Sequence, residues 1–261
     1  LEYDSRVNEA NELTDSGFWD EAWAKRPVSV VSRYHYLFGK NGIFLRAYRG
    51  WVQDLEGKRI IELGGANSRY LLALSKWCGA DVTAVDYSMV GLKKTEELFA
   101  RNRCRVTLIQ DDFLTWDYRG EPFDAVVHWG VLEHFRDPSP VLRKCSELVG
   151  PGGVVVFSMP NMGALGAYFW RKWSPGNWRK HVFHSDDVVR RACAAVGLKV
   201  TDVFYWGLPL LRISRWERNG LLQMLITGAQ LATLALDYVL PLYHRGQARL
   251  SMHRGFIARK A

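Results

Sequence analysis

Cysteine is scarce and scattered. Cys78, Cys104, Cys145 and Cys193 are the only four in 261 residues, and no two form a C-x-x-C pair. That argues against a disulfide scaffold and a cysteine zinc site, and it fits a reducing compartment. Runs of five or more like charges are also missing. The densest basic patches are Arg171-Lys172, Arg179-Lys180 and the stretch from Arg212 to Arg218. Internal repeats and low-complexity tracts are absent, which argues against a solenoid or a disordered tail. The residues given carry no secretory signal, so the expected location is the cytoplasm. The chain opens on Leu1-Glu2 rather than Met, which leaves room for native residues before it. An unbroken apolar run is lacking too. Residues 219–243 come closest, but Gln223, Gln230 and Asp237 interrupt them. A bilayer-spanning helix needs ~20 apolar residues. A cap over a pocket, a homodimer contact or a helix lying in a membrane interface suits this stretch better.

What the sequence does contain is ordinary for a globular protein. Hydrophobic residues make up 48% and charged residues 24%, enough for a proper core in one elaborated domain. The formal charge of +8 favours anionic partners, although its even spread is equally suited to plain solubility. Eleven tryptophans are many, and several fall late, in "FWRKWSPGNWRKH". Residues 1–51 read as a segment of short helices, with Phe44, Tyr48 and Trp51 spaced for one amphipathic face.

From residue 58 the pattern alternates. "RIIEL", "DVTAVDYS", "RVTLIQDD", "FDAVVHW" and "GPGGVVVFSMP" read as strands, with helical stretches between most of them. A tryptophan-rich loop is expected from 161 to 184. A helix follows over "SDDVVRRACAAVGL", with Ser185 as N-cap and Gly197 as its stop. "KVTDVFYW" is a sixth strand and "SMHRGFIARK" a last one. Strands alternating with helices predict an α/β fold with a mostly parallel sheet and helices on both faces.

In such a sheet, ligands bind beyond the carboxyl ends of the strands, so the residues there are the site candidates. After strand one, Glu62 precedes Gly64-Gly65-Ala66-Asn67-Ser68, whose small residues let a ligand approach the backbone. After strand two comes Asp86, 22 residues beyond Gly64, with Tyr87 beside it. A carboxylate there can accept from both hydroxyls of a ribose. After strand three, Asp112 suits an adenine amino group and Phe113 its ring face. Strand four ends in His128-Trp129-Gly130 and leads into a helix carrying Glu133 and His134. No i, i+4 histidine pair and no further ligand set is visible, so no metal is expected.

Five stretches in order resemble the class I S-adenosylmethionine-dependent methyltransferases. They are "ELGGANS", "AVDYS", "QDDFL", "FDAVVHWGVLEHFRDP" and "LVGPGGVVVFSMPN", followed by "HVFHSDDVVRRACAAVGLKV". The likeness covers about 52–206 and the last strand. It is nearest to the small-molecule branch of ubiquinone and menaquinone biosynthesis. The resemblance implies a Rossmann-like sheet of seven strands, the last antiparallel beside the sixth, with a helical cap. It also implies S-adenosyl-L-methionine as cofactor. Glu62, Gly64, Gly65, Asn67, Asp86, Tyr87, Asp112, Phe113, His128 and Trp129 would hold it, Glu62 at the methionine end or by ordering the loop. The domains expected are a cap segment at 1–51, the cofactor-binding core at 52–206, a helical insertion at 207–248 and the last strand at 249–261. Ala66 and Ser68 depart from the family's glycines.

A nicotinamide dinucleotide would need a glycine opening the helix, where Arg69 stands. A sulfonium cofactor has no pyrophosphate and accepts a looser loop. The reaction expected is in-line methyl transfer to a small-molecule acceptor, an oxygen of a bulky, partly apolar or lipid- or sugar-linked metabolite. His134 is the first candidate base and His181 its rival, because an imidazole titrates near neutrality. Peripheral membrane contact through 219–243 is part of the same expectation. The alternatives are a nucleic-acid methyltransferase, for which no RNA-binding module or N-P-P-Y stretch appears, and a non-catalytic cofactor-binding protein.

Overall fold

The computed structural model describes residues 11–31, 54–206, 228, 232 and 248–261. Their strands are β1 (Arg59–Leu63), β2 (Asp81–Asp86), β3 (Thr107–Gln110), β4 (Phe123–Trp129), β5 (Val149–Pro160), β6 (Leu198–Trp206) and β7 (His253–Lys260). The helices are α1 (Ser16–Ala24), α2 (Arg69–Cys78), α3 (Met89–Arg101), α4 (Ser139–Leu148), α5 (Leu165–Trp173), α6 (Pro175–Trp178) and α7 (Asp186–Ala195). One sheet takes the order β3-β2-β1-β4-β5-β7-β6. β1 to β5 pair in parallel, while β7 runs antiparallel between β5 and β6. The strand order reverses between β1 and β4, which opens a crevice at their carboxyl ends.

Both sheet faces are buried, so the inner strands are apolar almost throughout. On one face Ile60, Val82, Ala125 and Val127 pack beneath Leu71, Leu72 and Leu74 of α2 and Leu92, Leu98 and Phe99 of α3. On the other, Ile61, Val126, Val155 and Phe256 pack beneath α4 and α7 through Val141, Leu142, Cys145, Val189 and Cys193. Serines start three of the helices. Ser68, Ser88 and Ser185 each accept a hydrogen bond from the backbone N–H three residues on. Gly197 takes a φ of +77° just past α7, as its stop requires.

Two expectations are corrected. Residues 161–184 are not all loop, because α5 and α6 form there. α5 buries Gly166, Ala167 and Trp170 on one side, and two small residues beside one large ring give a short helix a docking face. Glu133 and His134 sit on a single 3₁₀ turn, Leu132–His134, rather than a helix. Residues 219–243, apart from 228 and 232, and the aromatics Phe44, Tyr48 and Trp51 lie outside the described residues.

Candidate active site

The loop after β1 is shaped by what it touches. Gly64 has a φ of +71°, and a Cβ there would meet Val131 Cγ2 at 3.0 Å. A Cβ on Gly65 would lie 2.6 Å from the Ala84 Cβ. Both glycine N–H groups donate to the Val85 carbonyl, at 2.9 and 3.2 Å. The two departures from glycine also have local reasons. Ala66 faces Gly91 of α3, where an added Cβ would fall 2.4 Å from that of Ala66, so the helix needs a glycine opposite the alanine. Ser68 Oγ donates to Glu62 Oε2 at 2.5 Å and accepts from the Leu71 N–H at 3.1 Å. It links the buried acid to the start of α2, which glycine could not do.

Asn67 was expected at the cofactor, but its side chain turns the other way. The Ser29 N–H donates to its Oδ1 at 2.8 Å, and its Nδ2 donates to the Pro27 carbonyl at 3.0 Å. A φ of +51°, which asparagine tolerates better than most residues, aims the amide at the N-terminal segment. Thr95 supports the same loop: its hydroxyl donates to the Gly65 carbonyl at 2.9 Å and accepts from the Asn67 N–H at 2.6 Å.

Acids gather at the strand ends. Burial drives the Glu62 carboxyl up to about 8, with Ser68 and Trp129 pulling against it and Asp86 adding to it. Burial likewise raises Asp86 to about 6, against hydrogen bonds from the Ser88 and Ala66 N–H groups. Asp112 is raised too, mainly by burial, although Leu114 N–H donates to it at 2.9 Å. Among the described residues no lysine or arginine forms an ion pair with any of the three. Acids crowded at strand ends without an ion-pair partner disfavour a pyrophosphate and favour a cation or a donor-rich neutral group. S-adenosyl-L-methionine brings a sulfonium, an ammonium, two ribose hydroxyls and an amino group, so these residues fit it. Trp129 is half-buried, its ring 5.3 Å from that of Tyr70 between centroids and its indole interacting with Glu62.

Two further expectations are corrected. His128 points to the opposite sheet face from Trp129, because neighbours along a strand alternate. It is fully buried, stacks on Phe157 at 5.0 Å, and neither ring nitrogen has a partner among the described residues. Burial holds it neutral, its value lowered to about 3. It is a core ring. Phe113 is likewise enclosed, against Phe135, rather than offering an open ring face.

His134 and His181 come together from either side of β5. Their ring centroids are 4.7 Å apart. His134 Nδ1 lies 2.8 Å from the Lys180 carbonyl, and His181 Nδ1 lies 2.8 Å from the Asn177 carbonyl. A carbonyl only accepts, so each neutral ring carries its proton on Nδ1, and Nε2 is the unprotonated nitrogen. The Val182 N–H donates to the Glu133 carbonyl at 2.7 Å and holds the two segments together. One donor atom from each of Glu133, His134 and His181 lies within 4.8 Å of the others. The fold thus supplies the third donor that spacing alone did not reveal, and such a set is one a divalent cation accepts.

A parallel-type α/β sheet closed by an antiparallel last strand, with an acid-lined crevice at its switch point, is the architecture of the Rossmann-like S-adenosylmethionine-binding enzymes. Residues 33–203 match the methyltransferase domain family, and the chain belongs to it. It is 32% identical over 117 residues to a ubiquinone biosynthesis O-methyltransferase of Bordetella avium, covering 42% of this chain and 48% of that one. The chain spans about half the length of most of the curated relatives it matches. A relative of the same name from a Caulobacter strain is 28% identical over 217 residues, 78% of this chain and 84% of that one. The fold is also that of a solved sarcosine dimethylglycine methyltransferase candidate from Galdieria sulphuraria, at a TM-score of 0.61 and 14% identity, covering 94% and 98% of the two chains. The cofactor of this domain is S-adenosylmethionine.

Proposed function

We propose that this chain moves a methyl group from S-adenosylmethionine to an oxygen of a bulky, partly apolar small molecule. The cofactor supplies a sulfonium-bound methyl that an aligned nucleophile displaces in line. Alignment is then the chief requirement, and an alcohol or phenol acceptor must also lose a proton. The observation that carries the reading is the conjunction of buried acids without an ion-pair partner at the ends of β1 and β2 with a His134–His181 pair on the turn that follows β4 and the segment that follows α6. Gly64 and Gly65 admit the cofactor, Glu62 and Ser68 order its loop, and Asp86 faces the ribose. Nε2 of His134 is the atom that takes the acceptor proton, with His181 adjoining it. The name of the curated relatives, O-methyltransferases of ubiquinone biosynthesis, supports oxygen as the acceptor atom.

The test is methyl transfer to a panel of phenols and aliphatic alcohols carrying apolar tails. His134→Gln is expected to lower kcat by roughly 10²-fold or more while the cofactor dissociation constant stays put. Unchanged turnover in that variant, with cofactor still bound, would remove His134 from the role.

The same reading extends to the surface around α5. Leu165 and Tyr168 are 64% exposed and Phe183 is 50% exposed. Arg171, Lys172, Arg179 and Lys180 accompany them, and residues 161–184 contain no acid. Exposed aromatic and aliphatic side chains among cations suit the headgroup region of an anionic membrane, where a lipid-linked acceptor would be met. No helix among the described residues is long and apolar enough to cross a membrane.

A further inference from the structure

The segment ahead of the first strand brings a carboxylate to the crevice. Residues 11–13 run antiparallel to residues 134–136. The Leu13 N–H donates to the His134 carbonyl at 2.8 Å, and the Arg136 N–H donates to the Asn11 carbonyl at 2.9 Å. Asn11 also clamps Asp137 with its side chain. The Asp137 N–H donates to Asn11 Oδ1 at 2.6 Å, and Asn11 Nδ2 donates to the Asp137 carbonyl at 3.1 Å. Between these bonds lies Glu12, bridged to Phe135. Its carboxylate accepts the Tyr87 hydroxyl at 2.9 Å. Tyr87 directly follows Asp86, and both Asp86 and Asp112 act on it electrostatically. Three carboxylates therefore act on one phenol at the ends of β2 and β3, Glu12 by a direct hydrogen bond and Asp86 and Asp112 through their charge.

This arrangement needs an explanation. Burial raises Glu12 to about 7, with Asp112 and Asp15 adding to the rise and Tyr87 opposing it. None of the described cations pairs with Glu12. The Asp86 oxygens already accept two backbone N–H groups. Gathering acids in this way is costly unless a ligand supplies donors. The Tyr87 hydroxyl occupies one oxygen of Glu12 and fixes its direction, and the second oxygen is left as an acceptor. The adenosine half of the cofactor offers two ribose hydroxyls and an amino group with two N–H donors, and with Asp86 on the ribose and Asp112 on one amino N–H, a donor remains for a third acceptor.

We propose that Glu12, held in place by Tyr87, is a cofactor-binding residue that accepts a hydrogen bond from the adenosine half of S-adenosylmethionine. This rests on the cofactor reading above. It adds to the β2 and β3 acids a group from a separate segment, so cofactor binding ties residues 11–13 to the core.

Isothermal titration of the full chain with S-adenosylmethionine and S-adenosylhomocysteine tests it, with Glu12→Gln and Tyr87→Phe as variants. Glu12→Gln is expected to weaken both ligands by the same factor, ~10-fold, which is the scale of a lost hydrogen bond to a charged group. Tyr87→Phe should weaken both by a smaller common factor, and it serves as the fallback if Glu12→Gln fails to fold. The common factor matters because the two ligands share adenosine and differ in sulfonium charge. S-inosylhomocysteine, which lacks the amino donor, locates the contact. A Glu12→Gln penalty that vanishes with it places the bond on the amino group, and one that persists places it on the ribose. Unchanged affinities in a folded Glu12→Gln protein overturn the proposal. So does a loss confined to the sulfonium ligand, which would mark a charge effect at a distance. Failure of the unaltered chain to bind either ligand would instead remove the cofactor reading itself.

Discussion

Glu62 shows what one buried side chain can control. It lies at the end of β1 with Ser68 as its hydrogen-bond donor and no cation beside it. Its carboxyl is raised to about 8, so the folded chain keeps a proton there that the unfolded chain has lost. Protons held by the native state alone make stability fall as pH rises. The contribution is fullest below the ordinary carboxylate range and is gone once pH passes about 8. Asp86 acts with the same sign but only up to about 6. Thermal unfolding midpoints of the cofactor-free chain should therefore drop between pH 6 and 8, and Glu62→Gln should flatten that drop. Parallel curves for the two proteins would contradict this origin. At this scale the site was partly legible. Acids after strands one, two and three stand out in the text because each follows an apolar run. Asn67 and His128 misled for different reasons: a positive φ turned one amide onto Ser29 and Pro27, and strand alternation turned one ring into the core. Ser68 carried a usable signal, a serine opening a helix, but its bond to Glu62 did not.

Elements set the tolerance of the site to change. The turn from β1 to α2 is pressed from two sides, by Val131 after β4 and by Ala84 in β2. Gly64→Val adds a β-branched side chain at a φ of +71° and 3.0 Å from Val131 Cγ2. Backbone strain of that kind costs roughly 1–3 kcal/mol. The variant is expected to keep its far-ultraviolet circular dichroism, melt a few degrees lower and lose measurable S-adenosylmethionine binding. Gly152→Ala is the matched control, since Gly152 has the same φ but nothing within 4 Å of its Cβ. It should lose stability without losing cofactor affinity. If both variants bind equally well, the loop is not a cofactor surface. Most elements were readable from periodicity and serine caps. α5 was not, because only Gly166, Ala167 and Trp170 face inward and the outward side carries rings that read as loop aromatics.

For the whole molecule, the question is where it works. α5 exposes Leu165, Tyr168 and Phe169, the cations Arg171, Lys172 and Arg179 follow them in the chain, and the Leu165 N–H donates to the Arg249 carbonyl at 3.0 Å. Membrane affinity through such a face should grow with anionic lipid and shrink with salt. In vesicle flotation, the chain is expected to rise with phosphatidylglycerol vesicles and to remain below with phosphatidylcholine alone. Tyr168→Ser with Phe169→Ser should reduce the floated fraction several-fold while the cofactor affinity is retained. Flotation that is indifferent to both lipid charge and these residues would leave the face as ordinary surface.

Some of this was determined along the chain. Alternating apolar and helical stretches required an α/β sheet, because neither pattern can bury itself alone. The glycine pair, Asp86 and Asp112 marked the strand ends, because those residue types follow strands for local steric and hydrogen-bonding reasons. Other facts belong only to the folded molecule. Glu12 meets Tyr87 across 75 residues, and His134 meets His181 although all of β5 lies between them in the chain. Such pairings carry no spacing rule, since they depend on which segment the sheet order lays beside which. The strand order itself, with β7 slipped between β5 and β6, is likewise a global outcome. It satisfies two strand edges at once, and no local run of residues encodes that.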